Sequence, residues 1–241
     1  MSGKPAATVG SNHTCPMCSG TTPHVGGPIT QGEPTILFNG NPVASVGSLC
    51  TCIGPRDMIV QGNPTVLVNG QPIACVGDMT AHGGVIVSGS PNIIIGSNSP
   101  KVPTAIMPIT KIPFPEITLT NRLLGNAKEA IANQDKIREM SERTEGDKRI
   151  YGLQWIKEEK VVRKSKVLKL VTLRAYTVNF AEGESVTLTL TRHKKTINDE
   201  GMEEVIDTIL EDVTGTVQDK MVEVVWEIEE DNNEQSQEAT A

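Results

Sequence analysis

Five cysteines and four histidines carry most of the chemistry this sequence could perform, and eight of these nine lie in its first hundred positions. Their spacing is set by three Val-Gly pairs. Cys15 stands five residues past Gly10, Cys52 five past Gly47, and His82 five past Gly77. Three equivalent positions thus carry a thiolate or an imidazole, and equivalent positions around a threefold axis converge on one point. A fourth ligand is His24, whose setting Pro23-His24-Val25-Gly26-Gly27 is similar to Ala81-His82-Gly83-Gly84. Two Cys and two His neutralise one zinc ion and give the closed tetrahedral set typical of structural zinc. Small domains with thin cores commonly need such a staple.

The same side chains admit other uses. Cys15 and Cys18 form a Cys-x-x-Cys, which alone reads as a redox pair or half a zinc ribbon. No second Cys-x-x-Cys follows, only Cys50-Thr51-Cys52. Disulfides would leave one of the five cysteines over, and no secretion signal implies an oxidising compartment. His13 and Cys50, each three residues past its glycine, rival the chosen four for a coordination place. Cys18 and Cys75 read as spare thiols.

A repeat must position these residues. Ile29 to Gly47 reads against Ile59 to Gly77 at a constant offset of 30, a truncated copy runs from Ile86 to Gly96, and Ala7-Thr8-Val9-Gly10 is a leading fragment. Fixed-period self-similarity marks units that bury a core only together. Within each unit, Thr35–Phe38 and Thr65–Val68 read as short strands, followed by Asn39-Gly40 and Asn69-Gly70, the strongest short hairpin signal. Pro42 and Pro72 open second strands, Val43–Val46 and Ile73–Val76, which end at the glycine turns. Three such hairpins packed around an axis are expected.

Composition divides the chain near Pro100. Residues 1–100 hold 16 of 22 glycines, 11 of 15 prolines and only five charged side chains: Lys4, Glu33, Arg56, Asp57 and Asp78. The remainder carries 20 basic and 26 acidic groups of the whole chain's 22 and 29. A formal charge of −7 argues against a sequence-tolerant nucleic-acid binder. No apolar run reaches the roughly 20 residues of a membrane span, and Met1-Ser2-Gly3-Lys4-Pro5 lacks the apolar stretch of a secretory signal.

Repeated Val-Gly ends, Asn-Gly hairpins, Cys15-Pro16, Pro23-His24-Val25-Gly26-Gly27-Pro28, Cys52-Ile53-Gly54-Pro55-Arg56-Asp57 and Thr80-Ala81-His82-Gly83-Gly84 resemble the PAAR-repeat proteins, in their PAAR-like variant. The resemblance covers about residues 1–100. The tetrapeptide naming the family stands here as Pro42-Val43-Ala44-Ser45 and Pro72-Ile73-Ala74-Cys75. The resemblance implies a cone with a zinc ion near its point. It also implies one copy seated on the blunt end of a trimeric VgrG-like spike, in a type VI secretion system or related contractile injection machine. The hairpin backbones around Phe38-Asn39-Gly40, Val68-Asn69-Gly70 and Ile95-Gly96 would then continue the spike's β-helix. The protein would be assembled in the cytoplasm and leave with the machine, puncturing an envelope without catalysis or a stable membrane anchor.

Residues 101–156 read as a proline-rich linker followed by a helix from Asn121 to about Arg143, either docking or solvated. Leu123, Leu124, Ala127, Ala130, Ile131 and Ile137 form its apolar stripe, with Glu129, Lys136 and Glu139 opposite. Residues 157–230 switch to period two. Val186, Leu188 and Leu190 alternate with threonines, and Val222, Val224, Trp226 and Ile228 with outward residues, as in a small antiparallel β-sandwich. Leu168–Phe180 and Glu203–Glu211 supply further strands. This order resembles the immunoglobulin-like or transthyretin-like extensions of secretion-tip proteins, available for cargo or an adaptor. Arg192-His193-Lys194-Lys195 reads as a solvated loop and residues 231–241 as a frayed acidic tail. The rival class is a specialised effector whose C-terminal part is a toxin enzyme. His193 and the carboxylates Asp207, Glu211 and Asp212 offer little to build one on. The fold class expected is therefore mainly β: three hairpin repeats with an apical metal, a linker and helix, then a small sandwich.

Overall fold

The computed structural model describes residues 3–96, 104–160, 168–197 and 203–228. It is mainly β, every strand pair being antiparallel. In the cone, β1 is Lys4–Ala6, β2 Glu33–Phe38, β3 Asn41–Val43, β4 Gln61–Val68, β5 Gln71–Ile73 and β6 Ser90–Ile95. Asn39-Gly40 turns β2 into β3 with φ of 52° and 82°, and Asn69-Gly70 turns β4 into β5 with 50° and 81°. These paired positive angles are those of a type I′ hairpin, which Asn-Gly tolerates.

The leading fragment completes the third repeat. β1 pairs with β6 in the register Lys4↔Ile95 and Pro5↔Ile94. This matches Phe38↔Asn41 and Leu37↔Pro42 in the first hairpin, and Val68↔Gln71 and Leu67↔Pro72 in the second. Pro5-Ala6-Ala7-Thr8-Val9-Gly10 is thus the counterpart of Pro42–Gly47 and Pro72–Gly77, and is closer to the family tetrapeptide than either. The ring closes through its chain start rather than through a local turn.

The second strands leave their hairpins sooner than the sequence suggests. They end at Val43 and Ile73 because the next residues bond to neighbouring units. The Ala7 N–H donates to the Ala74 carbonyl (2.8 Å), Ala44 to Ala7 (3.0 Å) and Ala74 to Ala44 (3.0 Å). This closed triangle encircles the axis, and alanine suits it because three Cβ atoms must meet there. Gly10, Gly47 and Gly77 follow with φ of 90°, 93° and 90°, a region L side chains avoid. Their N–H groups reach the carbonyls of Ile29, Ile59 and Ile86 at 2.8–2.9 Å. Those isoleucines, the three alanines and Cys50 make a fully buried axial core. Toward the hairpin turns lies a second layer of Val43, Val68, Ile73 and Cys75, with Ile36, Phe38, Val66, Ile93 and Ile95 half-buried. Toward the other end lie the metal-site loops.

From residue 104 the proline-rich segment is packed, with one 3-10 turn at Ile109–Lys111. Ala105–Ile106 (β7) adds to Gln61–Gly62 of β4, and Ile106 and Ile112 join Val60, Met79, Ala81 and Ile137 in a buried cluster. Two helices follow, α1 (Leu119–Leu124) and α2 (Ala127–Glu142). Thr118 caps α1 by accepting the Asn121 N–H. Gly125 and Asn126 break what reads as one stripe. Ala127, Ala130, Gln134, Ile137 and Ser141 are buried at helical spacing, while Glu129, Lys136 and Glu139 are exposed. The helix is a packed element, not a solvated connector.

The extension comprises β8 (Arg149–Lys160), β9 (Leu168–Val178), β10 (Ser185–Ile197), β11 (Glu203–Thr216) and β12 (Met221–Ile228). A three-stranded sheet, β8-β9-β12, faces the β10–β11 hairpin across a core of Leu173, Leu190 and Val213, with Leu188, Val224 and Trp226 beside it. Strand pairing starts at Arg149, ahead of Lys157, because Gly152 and a register shift after Tyr151 hide the alternation. Arg192–Lys195 continues β10 rather than forming a loop; its partners, such as Asp207 opposite His193, extend the ladder. The five described strands fall short of the seven of an immunoglobulin domain. The extension touches the cone where Gly152 lies against the Gly70 carbonyl, and touches the segment packed on the cone where Thr110 donates to Asp219 at 2.7 Å. Residues 231–241 lie outside the described residues. No described helix is long and apolar enough to cross a membrane.

Candidate metal centre

The loops that follow the axial glycines differ in length. Gly10 to Ile29 spans 19 residues, Gly47 to Ile59 spans 12, and Gly77 to Ile86 spans 9. Each contributes its phased residue, Cys15, Cys52 or His82. Threefold symmetry offers three ligands, whereas a tetrahedral ion takes four. The long first loop supplies the fourth. Its extra turn pairs Cys18–Ser19 with Thr22–Pro23, and the His24 N–H then closes onto the Met17 carbonyl at 2.8 Å.

The structure brings Cys15, His24, Cys52 and His82 together, their ligand atoms all within 4.8 Å of one another. Cys15 Sγ lies 3.4 Å from His24 Nδ1 and 3.5 Å from His82 Nδ1, and Cys52 Sγ lies 3.1 Å from His24 Nδ1. Zinc–sulfur and zinc–nitrogen bonds of ordinary length at tetrahedral angles place S and N about 3.5 Å apart, so the cluster needs little movement to close on an ion. Three of the four residues are buried and Cys52 is half-buried.

Protons report the same crowding. The hydrogen bond with Cys15 is the largest influence on Cys52, whose thiol is held well below its usual range with help from His13, His82 and His24. Cys15 is pushed up in turn, first by that bond and then by burial. Two thiols sharing a proton is the state a soft cation displaces.

Supporting residues fix the imidazoles. Ser19 Oγ lies 2.8 Å from His24 Nε2, so the ring can donate there while Nδ1 faces the thiols. Asp57, fully buried, accepts the His82 N–H (3.0 Å), the Met58 N–H (2.8 Å) and the Thr80 hydroxyl (2.6 Å). His13 is not among the four. Its Nδ1 meets the Gly27 carbonyl at 2.8 Å and its Nε2 lies 3.3 Å from Asp57. Burial works to lower the His13 pKa, but Asp57 and the other partners outweigh it and raise the value to about 9. Cys50 lies in the axial core, its thiol pushed up to about 12 by burial. Cys75 is also raised to about 12 by burial. Cys18 is buried beside Gly125 and its N–H donates to Asn121 (2.8 Å). All five cysteines are free.

Sequence reasoning missed Asp57 and the helical cover. The signal for Asp57 was a lone carboxylate in a charge-poor segment. The cover is α2, whose Ala130 packs with Cys15 and Met17. The Asn133 amide donates to the Gly83 carbonyl (2.7 Å), and the Asn126 N–H to the Pro16 carbonyl (3.0 Å).

One chain that imitates a trimer and closes its loops on a Cys2His2 group that could hold a metal ion is a pseudo-threefold, metal-ready cone. The family model for the PAAR motif matches residues 19–88, which supports a PAAR-repeat protein over this part of the chain. No curated protein matches the chain.

Proposed function

We propose that this protein caps a trimeric VgrG-like spike of a contractile injection system. The hairpin end would seat on the spike, and the end bearing the metal site would lead during envelope puncture. The carrying observation is the backbone equivalence of three units in one chain, down to the alanine triangle and glycine angles above. A threefold partner can meet such a surface with each of its subunits. Leu37, Leu67 and Ile94 hold the same register position in the three hairpins and are all exposed, an arrangement suited to a threefold apolar contact.

Cys15, His24, Cys52 and His82 would hold zinc, the metal their S2N2 set favours. Bound there, the ion would supply a structural cross-link between the three loops. The role is mechanical and the reading assigns no catalysis. The extension, which meets the cone at Gly70 and the linker at Thr110, is available to carry cargo or an adaptor.

Co-purification with the trimeric spike should give one chain per three spike subunits, with one zinc per chain by metal analysis. A chain that binds zinc but associates with no trimeric spike would overturn the capping role.

A further inference from the structure

The surface around the metal loops carries a group of exposed apolar side chains with few charges among them. Val25 and Ile53 directly follow the ligands His24 and Cys52, and both are exposed, Val25 at 77%. α1 is anchored to the same loops through Asn121, whose side chain accepts the Cys18 N–H. On the helix face away from that anchor, Leu119 and Leu123 are 78% and 82% exposed, with Leu124 exposed beside them. Ser19 joins the two ligand loops, bonding both His24 and the Ile53 carbonyl.

The charges here have one sign. Segments 14–30, 49–56 and 117–126 contain only Arg56 and Arg122 as charged residues. Both are exposed, and neither forms an ion pair among the described residues. Asp57, next in sequence, is buried; of the flanking carboxylates, Glu116 precedes α1 and Glu129, at the edge of the face, accepts from the Asn126 side-chain amide. In a chain of net charge −7, this is a locally cationic, apolar face.

We propose that this face engages an anionic lipid surface, with Leu119, Leu123, Val25 and Ile53 entering the headgroup–acyl boundary and Arg56 and Arg122 meeting lipid phosphates. The side chains stand on a short helix and separate loops rather than lining a groove. A lipid surface accommodates such dispersed anchors, whereas a folded partner needs a complementary shape. Unpaired guanidinium groups complement anionic headgroups. The inference deepens the capping reading by stating what the leading end meets.

Flotation of the full-length, zinc-loaded protein with phosphatidylglycerol/phosphatidylethanolamine vesicles tests this, with phosphatidylcholine vesicles as the comparison. The wild type should float with the anionic vesicles. A Leu119→Gln/Leu123→Gln variant should lose about tenfold or more in vesicle affinity. An Arg56→Gln/Arg122→Gln variant should lose a comparable factor and much of the salt dependence. All four side chains are exposed, so zinc content and circular dichroism should be unchanged in both variants. A wild type that stays unbound, a leucine variant that floats as well as wild type, or leucine-dependent capture of a folded protein without lipid would each overturn the proposal. Spike co-purification is measured in parallel. Failed flotation with intact capping removes this inference alone, and flotation with failed capping removes the capping role alone.

Discussion

Asp78 offers a sharp test of the repeat's energetics, because two other residues do its job without charge. At the equivalent positions, Ser11 Oγ accepts the Thr8 N–H and Ser48 Oγ accepts the Ser45 N–H, both at 3.1 Å. Asp78 Oδ2 accepts the Cys75 N–H at 2.8 Å. Burial raises its pKa from 3.8 to about 6, against the opposing pull of that N–H and of Lys4 at 3.4 Å. A carboxyl whose folded pKa is raised binds its proton more tightly when folded. Its contribution is therefore fully present below pH 3.8 and lost as pH rises through about 6. At about 1.4 kcal/mol per pKa unit, the ionised form costs the fold about 3 kcal/mol by neutral pH. Asp78→Ser removes that dependence, and the half-exposed Lys4 pair it also removes contributes at most about 1 kcal/mol. Native-state hydrogen exchange at the Ala44 amide, corrected for intrinsic rates, reads the cone directly. The protection advantage of Asp78→Ser over wild type should widen by about tenfold between pH 5 and pH 8. Titrations common to both proteins cancel in the difference. Parallel profiles, or a wild type that gains on the variant as pH rises, would refute the burial argument.

Three further outcomes follow from the geometry. Cys52→Ser should reduce bound zinc below one per chain after dialysis against a chelator, and lower the unfolding midpoint. Cys18→Ser should leave zinc content at one; equal losses in the two variants would mean the ligand set is misassigned. Gly47→Ala adds a Cβ whose nearest neighbour is Met107 Cε at 3.8 Å, so its effect isolates the φ of 93° and should cost roughly 1–2 kcal/mol in denaturant unfolding. Ala44→Leu forces a larger side chain into the closed alanine triangle and should destabilise by about 1–3 kcal/mol or more, with faster exchange at Ala7 and Ala74; an unchanged exchange pattern would show that the axis has room.

The repeat and the convergence of Cys15, Cys52 and His82 were legible because they rest on spacing, and that of His24 because its setting is similar to that of His82. Asn-Gly turns, Val-Gly ends and a five-residue phase survive in sequence even where side chains drift. What hid was pairing between distant segments. β1 belongs to the third hairpin although 84 residues separate Ala6 from Ser90, its partner, and no local period announces such a closure. The packing of Ile106 and Ile112 was hidden for a related reason. Pro108 between them interrupts any regular period, and the chain there makes a two-residue strand, Ala105–Ile106, and a 3-10 turn, Ile109–Lys111, which the same residues could leave free or pack against an edge strand. α2 was visible as a stripe, yet its docking partner was not, since Ala130 meets Cys15 and Met17 only once the metal loops are folded.

A single chain can do at this axis what a true trimer cannot. Three residues past the axial glycines stand His13, Cys50 and Thr80, and all three surround one buried carboxylate. Asp57 takes the Thr80 hydroxyl, lies 3.3 Å from His13 Nε2, and pairs with Cys50 across a short ladder. Three identical copies would bring three such carboxylates to one point, and like charges buried at close range cannot all ionise. One copy needs only one. The same freedom lengthens a single loop to deliver His24 and leaves the other two short. The symmetry is thus kept where the chain would face a threefold partner, at the hairpins and the alanine triangle. It is broken where a tetrahedral ion requires four ligands, and that division of labour requires the three units to share one backbone.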